Sequence, residues 1–243
     1  MAEITASSIT FDTPSSYAEY NSVFETPTGQ IRKKFVEAKT YKQFSEACDT
    51  AIDFLFRLYE QNPQYKQGMG EDQISMSLVE NLIIFGVDAS HDTMRGGHCD
   101  IVIDGPNGFS WLGEAKIHNG YNWLLQGFQQ LDTRYMAPTE GRDRGGMIIY
   151  CFNRRSDQVM EAWRDHLLRN RSDVTLESYD NDHIRFVTSH KHDSNGKNVY
   201  IRHSIAALYH MPDDKKKLAS GPRKSLKYKI KVKGTGFAGQ TTS

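Results

Sequence analysis

The sequence predicts an α/β (α+β) chain in which a central mixed β-sheet is flanked by helices, with a helical unit ahead of it. Three observations predict this. Stretches with apolar residues at helical spacing alternate with short runs in which apolar and polar side chains alternate. Turn signals such as Asn62-Pro63, Gly105-Pro-Asn-Gly108 and His192-Asp-Ser-Asn-Gly196 separate these stretches. Finally, 243 residues with 38% hydrophobic and 25% charged content suit a globular chain with one substantial core or two small ones.

In chain order, residues 1–29 are rich in Ser, Thr and Pro and read as an irregular arm. From residue 31 to about residue 61, Phe35, Phe44, Ala51, Phe54, Leu55 and Leu58 fit one or two amphipathic helices, which Asn62-Pro63 ends. The turn Gly68-Met-Gly-Glu-Asp72 leads into a helix over residues 72–85, with Gly86 as its stop. A short extended piece at 87–91 follows. Arg95-Gly-Gly-His98 then turns the chain into a strand ending at Asp104, and the Gly105–Gly108 turn pairs it with a return strand over 109–117. Residues 121–136 read as a helix, 145–152 (GGMIIYCF) as a buried strand, and 156–168 as an amphipathic helix with Ser156 as its N-cap. Residues 184–189 and 199–208 read as two strands around a polar turn. Beyond Met211 the chain is basic and ends in a flexible GTGFAGQTTS. The organisation expected is an arm and helical unit (1–67), a core domain (68–210) and a basic tail (211–243).

Totals exclude several classes. Cys48, Cys99 and Cys151 are odd in number and show no CxxC spacing, against a disulfide framework or structural zinc. No apolar run approaches the ~18 residues needed to span a bilayer, and the first twenty residues lack a signal peptide's apolar centre. No membrane association and a cytoplasmic location are expected. Lys plus Arg and Asp plus Glu both number 30, so a nucleic-acid footprint would have to be local.

The segment from His98 to Lys116 carries the chemistry. Strand residues alternate faces. Cys99, Ile101 and Ile103 share one face of the first strand, and Asp100, Val102 and Asp104 the other. On the return strand, Trp111, Gly113, Ala115 and Ile117 oppose Ser110, Leu112, Glu114 and Lys116. Cross-strand neighbours lie on the same face. Burying the odd-numbered apolar face therefore gathers Asp100, Glu114 and Lys116 on the even one. Two carboxylates are hard oxygen ligands suited to Mg²⁺ or Mn²⁺, and such an ion lowers the pKa of a bound water and stabilises a phosphorane. Lys116, about 7 Å along the strand from Glu114, can orient the water or offset developing charge. On a surface hairpin the same three residue types are ordinary, so neighbouring features matter.

One such feature is Glu71. At 100° per residue, Ile74, Leu78, Leu82 and Phe85 fall within about 60° of it, placing a carboxylate on the core-facing stripe of its helix. Glu80 sits on the opposite side. A second is Arg95-Gly-Gly-His98, where glycines permit close backbone approach and His98 shares parity with Asp100. A third is the helix after Lys116. Its apolar stripe is Tyr121, Leu124, Phe128, Leu131 and Tyr135, and a flank of Trp123, Gly127, Gln130 and Arg134 lies beside it. Gly127 in mid-helix costs about 1 kcal/mol relative to Ala, which implies close approach by another group. Gln130 and Arg134 could hold a phosphate or position Lys116.

Together, Glu71 on a helix, Asp100, Glu114-Ala-Lys116 and a following helix with Gln129-Gln130 and Tyr135 resemble the PD-(D/E)xK nuclease superfamily, the restriction-endonuclease-like fold. The resemblance covers residues 68–152 and its α-β-β-α-β order. It implies Asp100 and Glu114 as metal ligands with Glu71 as accessory carboxylate, Lys116 as catalytic lysine and Gln130 as the glutamine of the following helix. Cys99, not proline, precedes Asp100. The implied activity is Mg²⁺- or Mn²⁺-dependent endonuclease cleavage, of DNA above all, with a flavour of bacterial defence or mobile-element effectors. Arg95, His98 and Arg134 would contact nucleic acid. So would Lys227, Lys229 and Lys231, which alternate with Tyr228 and Ile230 in the tail. A homo-oligomer or an activating protein partner is compatible with this. The competing reading is a non-catalytic nucleic-acid-binding or assembly module that keeps the fold. A transition-metal site of His98, Cys99 and His118 is disfavoured because His98 and Cys99 point to opposite faces.

Overall fold

Caps and apolar spacing define the N-terminal helices. Helix α1 (Pro27–Glu37) starts with proline at its first position, and the Thr26 hydroxyl accepts from the Gly29 N–H. Helix α2 (Tyr41–Gln61) opens on a capping box between Thr40 and Gln43, and Asn62-Pro63 ends it. Helix α3 (Glu71–Ile84) stops at Gly86, whose φ of +80° is open to glycine at no steric cost. These bounds come from a computed structural model, which describes Ser22, residues 24–136 and residues 138–212.

Strands β1 (Asp88–Met94), β2 (His98–Asp104) and β3 (Ser110–Ile117) form an antiparallel meander. Helix α4 (Tyr121–Gln130) and a π-turn (Leu131–Tyr135) cross to β4 (Arg144–Cys151), which runs parallel to β3. Helix α5 (Ser156–Asn170) leads to β5 (Thr175–Tyr179), β6 (Arg185–Lys191) and β7 (Asn198–Ala207). The seven strands order as β1-β2-β3-β4-β7-β6-β5, with β4 and β7 parallel and the outer pairs antiparallel. This is an α/β fold with a central mixed sheet flanked by helices.

The sheet is buried on both faces. Residues of α1, α2 and α3 share one core with Ile101, Ile103, Trp111, Ala115, Ile148 and Tyr150. Residues of α4, the π-turn and α5 share a second core with Val102, Leu112, Met147, Ile149 and Ile201. The alternation of β4 (Met147, Ile149 and Cys151 against Ile148 and Tyr150) sends one set of side chains to each core. Helix α2 is also fixed by charge: Asp53 accepts from both Nη atoms of Arg202 at 2.9 and 2.8 Å and from Arg185 Nε at 2.8 Å. Residues through His210 belong to one compact unit; beyond Pro212 the second unit, Met211–Ser243, lies outside the described residues, and with it Lys227, Lys229 and Lys231. No helix of the described residues is long and apolar enough to cross a membrane.

The structure differs from the sequence expectation at five places. Cys99, expected to share a face with Ile101 and Ile103, packs in the second core while those two pack in the first, because β2 leaves β3 at that end. The even-numbered face of the β2–β3 hairpin, read as its polar face, packs into a second core, because α4 and α5 cover it. The helix expected over 121–136 is α-helical only to Gln130 and then widens into the π-turn. Ser156 is the first helical residue, and Arg155, with φ of +58°, stands at the cap. The strand at 175–179 carries no signal in the sequence, since its apolar content is low and it sits at the sheet edge.

The second core contains a fully buried histidine. His203 Nδ1 accepts from the Trp163 indole N–H at 3.1 Å, so its proton sits on Nε2, facing Thr188 Oγ1 at 3.0 Å. Burial, aided by neighbouring His190, depresses the His203 pKa to about 3. The unfolded chain takes up this proton near its ordinary pKa of about 6.5, and the folded chain does not. The stability held by neutral His203 is therefore present above pH ~6.5 and lost progressively as pH falls toward ~3. In denaturant titrations across that window, His203→Asn should flatten the pH slope by up to about 1.4 kcal/mol per unit. An unchanged slope would show that His203 is not the group that titrates.

Candidate active site

The site forms where β2 diverges from β3. The two strands pair from Asp104–Ser110 to Ile101–Gly113. Past that point the odd-numbered N–H groups of β3 have no strand to bond, and carboxylates take its place. Asp100 Oδ2 accepts from the Ala115 N–H at 2.8 Å, and Glu71 Oε2, from the first residue of α3, accepts from the Ile117 N–H at 2.7 Å. Unpaired backbone donors in this protected position would cost about 1–3 kcal/mol each, so both carboxylates are fixed by a backbone need. The first turn of α3 is itself a favourable place for Glu71, next to the positive end of the helix dipole.

Glu114 and Lys116 stand on the face of β3 covered by α4. They are 1% and 5% exposed. The Lys116 ammonium lies 2.6 Å from Glu114 Oε1, 3.2 Å from Glu71 Oε1, 3.9 Å from Asp100 Oδ2 and 3.0 Å from the Ala115 carbonyl. Glu114 Oε2 is buried and has no hydrogen-bond partner. Gly127 explains how a lysine fits under a helix. A Cβ there would lie 2.9 Å from Lys116 Cγ and 3.0 Å from Met147 Cε, so the lysine stem runs through the space that a side chain would fill. Trp123 is 41% exposed and its ring centroid is 5.5 Å from Lys116 Nζ.

Three carboxylates share one ammonium. Burial, then the charge of Asp100, pushes the Glu114 pKa up to about 7 despite Lys116. Burial also raises Asp100. For Lys116, burial works against the charged form, but Glu114, Asp100 and Glu71 outweigh it and the net shift is upward. Tyr135 closes one side of the site. Burial, with the fields of Glu114 and Asp100, pushes its hydroxyl up to about 12, and its ring sits where a Gly97 side chain would be, 2.9 Å from that Cβ position.

The structure thus brings together Asp100, Glu114, Lys116 and Glu71, and Glu80 is exposed. It does not bring His98 or Arg95. His98 is exposed and pairs with Asp92 at 2.8 Å, because that end of β2 runs past β3 and faces β1. Arg95 is engaged by Asp104 at 2.8 Å. Gln130 and Arg134 lie on α4 and the π-turn, and among the described residues no hydrogen bond or ion pair joins either to the cluster. Arg134 is exposed, with its backbone oxygen against Gly96. The residue sequence reasoning missed is Asp132. Its carboxylate binds His190 Nε2 at 2.8 Å and Arg171 Nη1 at 3.0 Å, and its carbonyl lies 2.9 Å from His192 Nε2. These contacts hold the π-turn that carries Arg134 and Tyr135. Partners some forty to sixty residues away leave no local signal.

Among the described residues, no group of three or more His, Cys, Asp and Glu side chains is arranged to hold a metal ion. The donor chemistry nonetheless fits a hard divalent cation: the available atoms are carboxylate oxygens, and Glu114 Oε2 is a buried acceptor with nothing to accept from. Comparison with protein-family models, curated proteins and solved structures found no match for the chain.

Two outcomes follow from this packing and charge. Gly127→Ala gains up to about 1 kcal/mol of helix propensity, but overpacking against Lys116 Cγ costs about 1–3 kcal/mol. Denaturant unfolding should show a net loss of stability; a more stable variant would mean that the lysine stem has slack. Glu114 keeps its proton to about pH 7 when folded and only to about pH 4.3 when unfolded. The folded state therefore holds the extra proton, and this contribution to stability is lost as pH rises through that window. In EDTA, Glu114→Gln should remove the associated slope of up to about 1.4 kcal/mol per unit; parallel curves for the two proteins would count against a protonated Glu114.

Proposed function

We propose that this chain is a divalent-metal-dependent nuclease of the PD-(D/E)xK kind, acting on DNA. The observation that carries the reading is the convergence of Glu71, Asp100, Glu114 and Lys116, from α3, β2 and β3, at the end of one strand, with one Glu114 oxygen left unpartnered. Asp100 and Glu114 would hold Mg²⁺ or Mn²⁺, which when bound supplies Lewis acidity to the phosphate and lowers the pKa of a coordinated water. Lys116 presents an ammonium at the same point, where it can hold the attacking oxygen in line and offset charge on the phosphate. Glu71 fixes Lys116 from the side of α3. Trp123, 41% exposed and beside the Lys116 ammonium, is where a base would stack, and the exposed Arg134 is available for a backbone phosphate.

A binding or assembly module that keeps the fold is the second reading. It is favoured by one observation: Lys116 is satisfied by three carboxylates and a carbonyl, as a structural ion cluster would be. Cleavage of plasmid, single-stranded DNA and RNA with Mg²⁺, Mn²⁺ or EDTA separates the two. Because Glu114 and Lys116 are buried, near-isosteric changes are appropriate. Asp100→Asn, Glu114→Gln and Lys116→Met should each reduce metal-dependent cleavage by about a hundredfold or more, with circular dichroism unchanged. Full activity in Glu114→Gln overturns the nuclease assignment; no cleavage of any substrate by the unaltered chain favours the module.

A further inference from the structure

The Lys116 ammonium occupies the point at which the carboxylates converge. It takes Glu114 Oε1 at 2.6 Å and Glu71 Oε1 at 3.2 Å and stands 3.9 Å from Asp100 Oδ2. A cation shared by these residues would draw on the same oxygens. We propose that Lys116 is a tethered counter-ion that competes with a divalent cation for the carboxylates of Asp100, Glu114 and Glu71, so that metal entry requires the ammonium to leave Glu114. This rests on the metal-site reading above and adds a role for Lys116 before any chemistry.

Three further observations support the competition. Glu114 Oε2 is buried and unpartnered, so the ammonium satisfies only half of that carboxylate. Three carboxyl groups have one ammonium between them, and a divalent cation would bring more charge to the same oxygens than a single lysine does. The ammonium is also not held by the carboxylates alone: the Trp123 ring, with its centroid 5.5 Å from Nζ, already lies within cation–π reach and would remain a partner if Glu114 were given up. Held this way, the ammonium supplies a counter-charge to carboxylates that would otherwise oppose folding.

The test uses Mn²⁺ alone as the probe, with the full chain and no nucleic acid. Mn²⁺ affinity is read by electron paramagnetic resonance or calorimetry, and Tm is measured with and without Mn²⁺. Removing a positive charge beside the bound ion should raise affinity steeply, so Lys116→Met should bind Mn²⁺ at least about tenfold more tightly than the unaltered chain, with a larger rise in Tm. Lys116→Gln is the second variant should the first fail to fold, and is read in the same way; a variant that folds only with Mn²⁺ also supports the proposal. Equal or weaker binding by these variants, with clear binding by the unaltered chain, overturns the competition and leaves the metal site standing. Absence of Mn²⁺ binding in all of them, or wild-type affinity in Glu114→Gln, overturns the metal reading and the competition together.

Discussion

The site depends on a missing hydrogen-bond partner. Strand β3 continues beyond its pairing with β2, and the N–H groups of Ala115 and Ile117 point toward a strand that has turned away. Asp100 and Glu71 supply the acceptors. This one backbone requirement fixes two carboxylates from different elements within reach of a third, Glu114, on the same strand. With three carboxylates gathered under cover, a buried cation becomes necessary, and Lys116, two residues beyond Glu114, is the cation that geometry allows. The polar cluster is therefore a consequence of how the sheet opens.

Cover from α4 gives the cluster its electrostatic character. The same three residue types on a solvated hairpin would be screened, with ordinary protonation. Beneath α4, burial raises Glu114 and sets it against Asp100, while Lys116 is held charged by its neighbours. The covering helix comes this close because Gly127 presents no side chain, and an alanine there would already meet the lysine stem. The π-turn that follows is a wider helical turn held by Asp132 through His190 and Arg171. It sets Tyr135 against the Gly97 backbone and leaves the Arg134 side chain exposed. The geometry of the site thus depends on contacts made well outside it.

Alternation along β3 put Glu114 and Lys116 on one face from sequence alone, and the hairpin order brought Asp100 to their end of it. Helical phase determined that Glu71 points inward and Glu80 outward. The order of helices and strands apart from β5, their turns, and the unusual mid-helix glycine were legible for the same reason: each is set by local periodicity or backbone conformation. Tertiary structure decided what local pattern does not encode. It covered the polar face of the hairpin with α4 and α5 and made it part of a second core. It ended the β2–β3 ladder at Ile101, which turned Asp100 from a cross-strand neighbour of Glu114 into a cap on Ala115. It sent His98 to Asp92 and Arg95 to Asp104, although strand parity had put His98 with Asp100. The Asp132 network joins residues distant in the chain, and such contacts exist only once the sheet order places β6 beside β7 and the π-turn beneath their turn. Periodicity fixes which way a side chain points; only the packed chain decides what it meets there, because that depends on which distant backbone arrives.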